Sequence, residues 1–150
     1  MGADRAIRER VGAIAAPVFD TVDAVDAGPL RSARVAIVTT AGLRLAGSIS
    51  LWDTSDGSFG VLPHAARDLQ LSHFSPNFDR AGFVADINVV YPVDRLDELA
   101  ARGTIGSVAT NHLSFMGAQL DLSTVRYDTG PAAAKFLLDD GVDVVLLTPV

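Results

Sequence analysis

This sequence predicts an α/β fold: an open, mostly parallel sheet with helices on both faces, in a Rossmann-like three-layer arrangement. Two apolar, β-rich runs, residues 34–40 and 142–150, lack the alternation of a half-exposed strand and read as strands buried on both faces. Two helix patterns with clear starts and stops lie between them, and strand, helix, strand, helix, strand at this spacing calls for crossovers that layer helices over a sheet.

The elements follow in chain order. Ile7, Val11 and Ile14 recur at helical spacing, which predicts an amphipathic helix ended by Pro17. Residues 20–31, with Gly28 and Pro29, read as an irregular connector. The first strand, 34–40, is bounded by Ala41-Gly42. Residues 42–56 are rich in Gly, Ser and Asp and are expected to form a long loop, followed by a short strand over 59–62 stopped by Pro63. Residues 72–86 show no clean periodicity; a loop of that length inside a domain is expected to be functional. Pro92 opens the clearest helix, with Val93, Leu96, Leu99 and Ala100 as its apolar stripe and Gly103 as its stop. A strand is expected over 105–109, then a polar and aromatic loop over 111–117. Thr129 is the expected N-cap of the next helix, with Pro131 in its first turn and Gly141 after its end. Asp139 and Asp140 occupy its negative end, where acids are disfavoured, so both are expected to be solvated.

The division expected is residues 1–32 as N-terminal helix and connector and 33–150 as the α/β domain, one domain overall. With 49% hydrophobic and 20% charged residues, the chain is far from disorder. A net charge of −6 and no Lys/Arg cluster argue against nucleic acid as a partner. No apolar stretch approaches the roughly 20 residues of a membrane span, and the charged first 16 residues lack the core of a secretion signal, so no membrane association and a cytoplasmic location are expected. With no cysteine, there is no disulfide framework, thiolate metal site or thiol nucleophile in these 150 residues.

Several familiar signals fail. Gly42 and Gly47 have P-loop spacing, but Ser48 stands where the lysine belongs, and no G-x-G-x-x-G follows a strand. His64, His73 and His112, with Asp79 and Asp86, would need to converge in space to hold a metal, and no local spacing supports that, so no metal is expected. Two segments carry more. One runs from Ser72-His73 through Asn77-Phe78-Asp79-Arg80 to Asp86-Ile87-Asn88; the other is Asn111-His112-Leu113-Ser114-Phe115-Met116-Gly117. Both mix hydrogen-bonding side chains with aromatics, as small-molecule pockets do, and both equally fit loops whose polar side chains satisfy their own backbone.

The same residues resemble the selenoprotein B family of the glycine, sarcosine, betaine and D-proline reductases, above all its short, stand-alone members. The resemblance is carried by Val35-Ala36-Ile37-Val38-Thr39-Thr40-Ala41-Gly42, by the two segments above, and by Val89-Val90-Tyr91-Pro92-Val93-Asp94-Arg95-Leu96. It continues through Gly103-Thr104-Ile105-Gly106 and Asp140-Gly141-Val142-Asp143 to Leu146-Leu147-Thr148-Pro149-Val150. It implies a reductase component whose selenocysteine or cysteine comes directly after Val150, at a strand end and a helix N-terminus that favour the anion. It also implies a further helix and strand completing the domain. A chain ended at a recoded UGA is the expectation; a truly short paralogue competes with it. Thr40, His73, Asp79, Asp86, Asn88, His112 and Ser114 are the implied substrate-pocket candidates, with His73 or His112 as a proton source. Partners implied are a small-molecule substrate, other reductase subunits (in the relatives one carries a pyruvoyl group), and a thioredoxin-like reductant. The alternative is a non-enzymatic subunit or binding module that has lost the redox residue. Without a neighbouring strand, residues 144–150 would expose an apolar edge, so the 150-residue product is expected to be marginally stable or to form a homo-oligomer.

Overall fold

The structure is a computed structural model that describes residues 5, 6, 9, 12, 13, 15, 18, 25–48, 52, 53, 55–75, 78, 80–119 and 121–150. Ile7, Val11, Ile14 and Pro17, on which the N-terminal helix was predicted, lie outside the described residues, as do Asn77 and Asp79.

After a 3-10 turn at Leu30–Ser32 the chain enters β1 (Arg34–Thr39), then β2 (Leu43–Leu45), β3 (Phe59–Pro63) and β4 (Leu69–Leu71). Helix α1 (Arg80–Ala85), a 3-10 turn (Ile87–Val89) and α2 (Val93–Ala101) follow. Then come β5 (Ser107–Val108), β6 (Asn111–Phe115), a π-helical turn (Val125–Thr129), α3 (Gly130–Asp139) and β7 (Val144–Thr148).

The main sheet is built around β1. One edge of β1 pairs in parallel with β7 along its whole length, from Val35↔Val144 to Thr39↔Thr148. The other edge pairs in parallel first with β5 and then with β6, and β3 closes that side antiparallel to β6. The register jumps between the two: Val35 faces Val108, but Val38 faces Leu113. The flanking chain therefore spends two more residues than β1 over that interval, a bulge in the middle of a buried sheet.

Successive β1 residues face opposite layers. Val35 and Ile37 join a cluster with Leu62, Tyr91, Val93 and Leu96 on the α2 side. Ala36 joins Leu113, Ala133, Leu137 and Val142 on the α3 side. Ile37 is completely buried, worth about 1.5–3 kcal/mol for such a side chain. The predicted α/β fold, with helices on both faces of a mostly parallel sheet, is what the structure contains.

Six local expectations change. Residues 111–115 form a strand in the sheet interior, not a loop; His112 and Ser114 are buried polar residues there, which erased the apolar signature of a buried strand. The region predicted as loop over 42–56 includes β2, which pairs with β4 in a separate antiparallel ribbon, and the 72–86 segment contains α1. Thr129 does not cap α3, because helical backbone already precedes it; its hydroxyl donates to the Gly57 carbonyl at 2.6 Å. Asp140 is not solvated. It accepts from Thr110 N (3.2 Å), Asn111 N (3.3 Å) and Arg34 Nη2 (3.0 Å), holding the bulge to the start of β1. The run over 142–150 does form a strand, but not one buried on both faces: β7 is half-buried to exposed along its length, with Leu147 68% exposed, because its outer edge is open among the described residues. No described helix is long and apolar enough to cross a membrane.

Candidate functional site

The carboxyl ends of β1, β6 and β7 meet at one edge of the sheet, where ligands gather in open α/β folds. The edge is tied together through Thr40. Its N–H donates to the Thr148 carbonyl at 3.2 Å, its carbonyl accepts from Gly117 N at 2.9 Å, and its hydroxyl accepts from Val150 N at 3.0 Å. One level below, the hydroxyls of Thr39 (2.8 Å) and Thr148 (3.0 Å) both donate to the Val90 carbonyl, fastening the segment before α2 to the sheet. Gly42 turns the chain out of β1 at φ 63°, a left-handed conformation that suits glycine.

A pocket of about 240 Å³ opens at this edge, with Thr40, Phe115, Gly117, Gln119, Val125 and Val150 among its walls. Gly117 is there for space: a Cβ on it would stand 2.9 Å from both His73 Nε2 and the Thr40 carbonyl, and 3.3 Å from the Val150 carbonyl. His73 is thus under the floor of the pocket. It is 5% exposed, stacked on Phe78 at 4.5 Å, and its Nδ1 accepts from Ser75 N at 3.2 Å. That bond puts the ring proton on Nε2, which is buried and has no hydrogen-bond partner. Burial, and then the Arg80 guanidinium that bonds the His73 carbonyl, hold its pKa below the ordinary histidine value, so the ring is neutral near pH 7.

The other expected pocket residues do not gather here. His112 is completely buried in mid-sheet, at the bulge. Its Nδ1 accepts from Ile37 N (3.0 Å), a backbone donor that the register jump deprives of a strand partner, and its Nε2 meets His64 Nδ1 at 3.2 Å. With Nδ1 accepting, Nε2 carries the proton and donates to His64, whose Nε2 in turn donates to Asp97 Oδ1 at 3.1 Å. Burial, and then His64 beside it, push the His112 pKa down to about 4. Ser114 is also fully buried, its hydroxyl accepting from Leu43 N at 2.7 Å where β1 hands over to β2. Asp86 and Asn88 form a local cap. Asp86 accepts from Asn88 N (2.9 Å), which with the Asn88 side chain keeps its pKa low, while Asn88 Oδ1 accepts from Asp94 N (3.1 Å) at the start of α2. Thr40 and His73 alone among the described candidates come to the carboxyl edge. Gly117 and Gln119 were missed. The signal for Gly117, a glycine ending a strand beside another strand's end, was hidden because 111–115 read as loop. Among the described residues no group of three or more His, Asp or Glu is placed to hold a metal.

Residues 9–150 match the family described as glycine/sarcosine/betaine reductase selenoprotein B. The chain is 36% identical over 121 residues to the D-proline reductase subunit gamma of Acetoanaerobium sticklandii, covering 79% of this chain and 49% of that protein. It is 30% identical over 138 residues to the sarcosine reductase complex component B subunit beta of Peptoclostridium acidaminophilum, covering 88% of this chain and 31% of that one. The chain therefore spans half or less of the length of these relatives. No solved structure matches it. The family match over residues 9–150 and the 36% identity to the first of these relatives establish that the chain belongs to the glycine/sarcosine/betaine reductase selenoprotein B family.

Proposed function

We propose that this chain is the substrate-side component of a selenol- or thiol-dependent reductase, with its site in the carboxyl-edge pocket between Thr40, Gly117 and Val150. The observation that carries the reading is the convergence of three parallel strand ends on that pocket, with an unsatisfied His73 N–H beneath it. The substrates named for the relatives are α-amino acids, some bearing substituents on nitrogen, and a pocket of about 240 Å³ suits a small molecule of that class.

The 150 residues contain no thiol, so the nucleophile, a selenocysteine or cysteine joined after Val150, lies outside them in this reading. Such a group would supply a polarisable anion able to displace nitrogen from the substrate carbon, the C–N bond breaking as a C–Se or C–S bond forms; a thiol would then release the reduced, protonated carbon and close a selenenylsulfide or disulfide, to be re-reduced by the external reductant. The residues present fit it: Thr40 fixes the end of β7 in place, and Gly117 leaves clearance beside Val150. Other reductase subunits are the expected partners, with a thioredoxin-like protein as reductant.

The test is the intact mass of the protein from its native source grown with selenium. A mass several kilodaltons above 15.7 kDa with a selenium isotope pattern supports the reductase reading. A mass of 15.7 kDa in a complex without reductase activity overturns it in favour of a binding subunit that lacks the redox residue.

A further inference from the structure

The ribbon of β2 and β4 stands apart from the main sheet, and among the described residues β4 is paired on one edge alone. Which backbone groups face its free edge follows from the pairing. Ala46 N donates to the Asp68 carbonyl and Ser72 N to the Gly42 carbonyl, so residues 68, 70 and 72 turn their backbone groups toward β2. Leu69 and Leu71 alternate with them and turn their N–H and C=O groups outward, where no described residue takes them. The same two leucines, with Gln70, form one wall of an open groove of about 410 Å³ whose other wall is Arg80, Phe83 and Val84 of α1. Val84 is 80% exposed, while Leu69, Leu71 and Phe83 pack partly against the core. Proteins ordinarily blunt such an edge with a charge, a proline or a bulge, and the Leu69–Leu71 segment carries none of these.

We propose that this groove docks an extended, acidic segment of a partner protein chain, which adds to β4 as a third strand of the ribbon. Main-chain bonds to Leu69 and Leu71 hold the segment, as in other cases of strand addition to a free edge. Its apolar side chains, recurring every second residue on one face, lie over Leu69, Leu71, Phe83 and Val84. Charge selects the occupant. Arg80 is exposed on the groove wall, and its guanidinium donates to the His73 and Phe78 carbonyls at 2.6 and 3.4 Å, with no described carboxylate in ion-pair reach. In a chain of net charge −6, that leaves an uncompensated positive point beside an apolar trough, and a carboxylate on the incoming segment is its complement. None of the groove's residues lines the carboxyl-edge pocket, so the proposal stands independently of the substrate reading of that pocket.

The test uses the full-length chain, isotope-labelled for amide exchange, and two capped hexapeptides of alternating valine and threonine that end in glutamate or in lysine. By calorimetry the glutamate peptide is expected to bind about fivefold more tightly than the lysine peptide, and Arg80→Glu is expected to reverse the order. Binding should slow hydrogen exchange at the Leu69 and Leu71 amides and leave Gln70, already bonded to β2, unchanged. Methylating alternate peptide nitrogens should abolish binding when the methyl groups face β4 and spare it when they face away. Val84→Ser, at an exposed position that leaves the core intact, should weaken both peptides alike. Equal affinity for the two peptides, no binding of either, or protection that falls outside Leu69 and Leu71 overturns the proposal. So does protection of those two amides in the free chain: if it grows with protein concentration the edge belongs to a second copy, and if it does not, to a segment of the same chain.

Discussion

Two regions of this sheet each bury a histidine, and they treat it in opposite ways. At the mid-sheet bulge His112 is completely enclosed, accepts from the Ile37 amide that the register jump strands, and donates its Nε2–H to His64, which in turn donates to Asp97. At the carboxyl edge His73 is nearly as buried, yet its Nε2–H has no hydrogen-bond partner and is packed close to Gly117. A closed polar network repairs a defect in the fold; an open one is a standing cost that only a ligand, or an ordered water, removes. Burial of a histidine by itself therefore does not separate the two roles. Its second nitrogen does.

The largest expected difference between the regions is in stability. His112→Ala opens a cavity and orphans the Ile37 N–H, and should lower the unfolding free energy by about 3–4 kcal/mol. His73→Leu removes a polar atom that has no partner and should cost about 1 kcal/mol or less, chiefly the Ser75 bond. Urea denaturation of both variants decides this, and equal losses would break the contrast.

The pH dependence comes next. His112 has an ordinary pKa of 6.5 in the unfolded chain and about 4 in the folded one, so the unfolded state binds the extra proton between those values. The stability this histidine contributes is present above pH 6.5 and is lost as pH falls toward 4, by on the order of 3 kcal/mol in all. His73, also depressed, adds in the same direction. Denaturation curves from pH 7 to pH 4.5 should show the loss, and His112→Asn, which keeps an acceptor near the Nδ1 position, should flatten most of it. An unchanged slope in that variant would assign the titration elsewhere.

A smaller effect sharpens the picture of the bulge. Asp140→Ala removes the acceptor shared by Thr110 N, Asn111 N and Arg34, and should cost about 2 kcal/mol in the same assay. It should leave the carboxyl edge undisturbed, with the Thr40–Val150 and Thr40–Gly117 bonds intact, since the bulge lies at the other end of β6.

The sequence by itself determined the class of fold, the two helices and where they stop, the buried character of the first strand, and the family. These are properties of local spacing or of residue identity in order: Val93, Leu96 and Leu99 recur at helical period, and residues 34–40 form an apolar run wherever the chain goes. The lack of any thiol in these residues is equally a matter of composition. What only the tertiary structure decided is which polar residues are finished and which are not. Seven residues read as equal candidates for one pocket. Of the six described, His112, Ser114, Asp86 and Asn88 proved to have their hydrogen bonds made within the fold, and Thr40 and His73 came to the carboxyl edge. The physical reason is range. His112 finds its partner 75 residues away and Ser114 finds its own 71 away, across a sheet whose register jump no local pattern records. A strand with polar residues facing inward also looks like a loop until the groups that satisfy them are brought alongside.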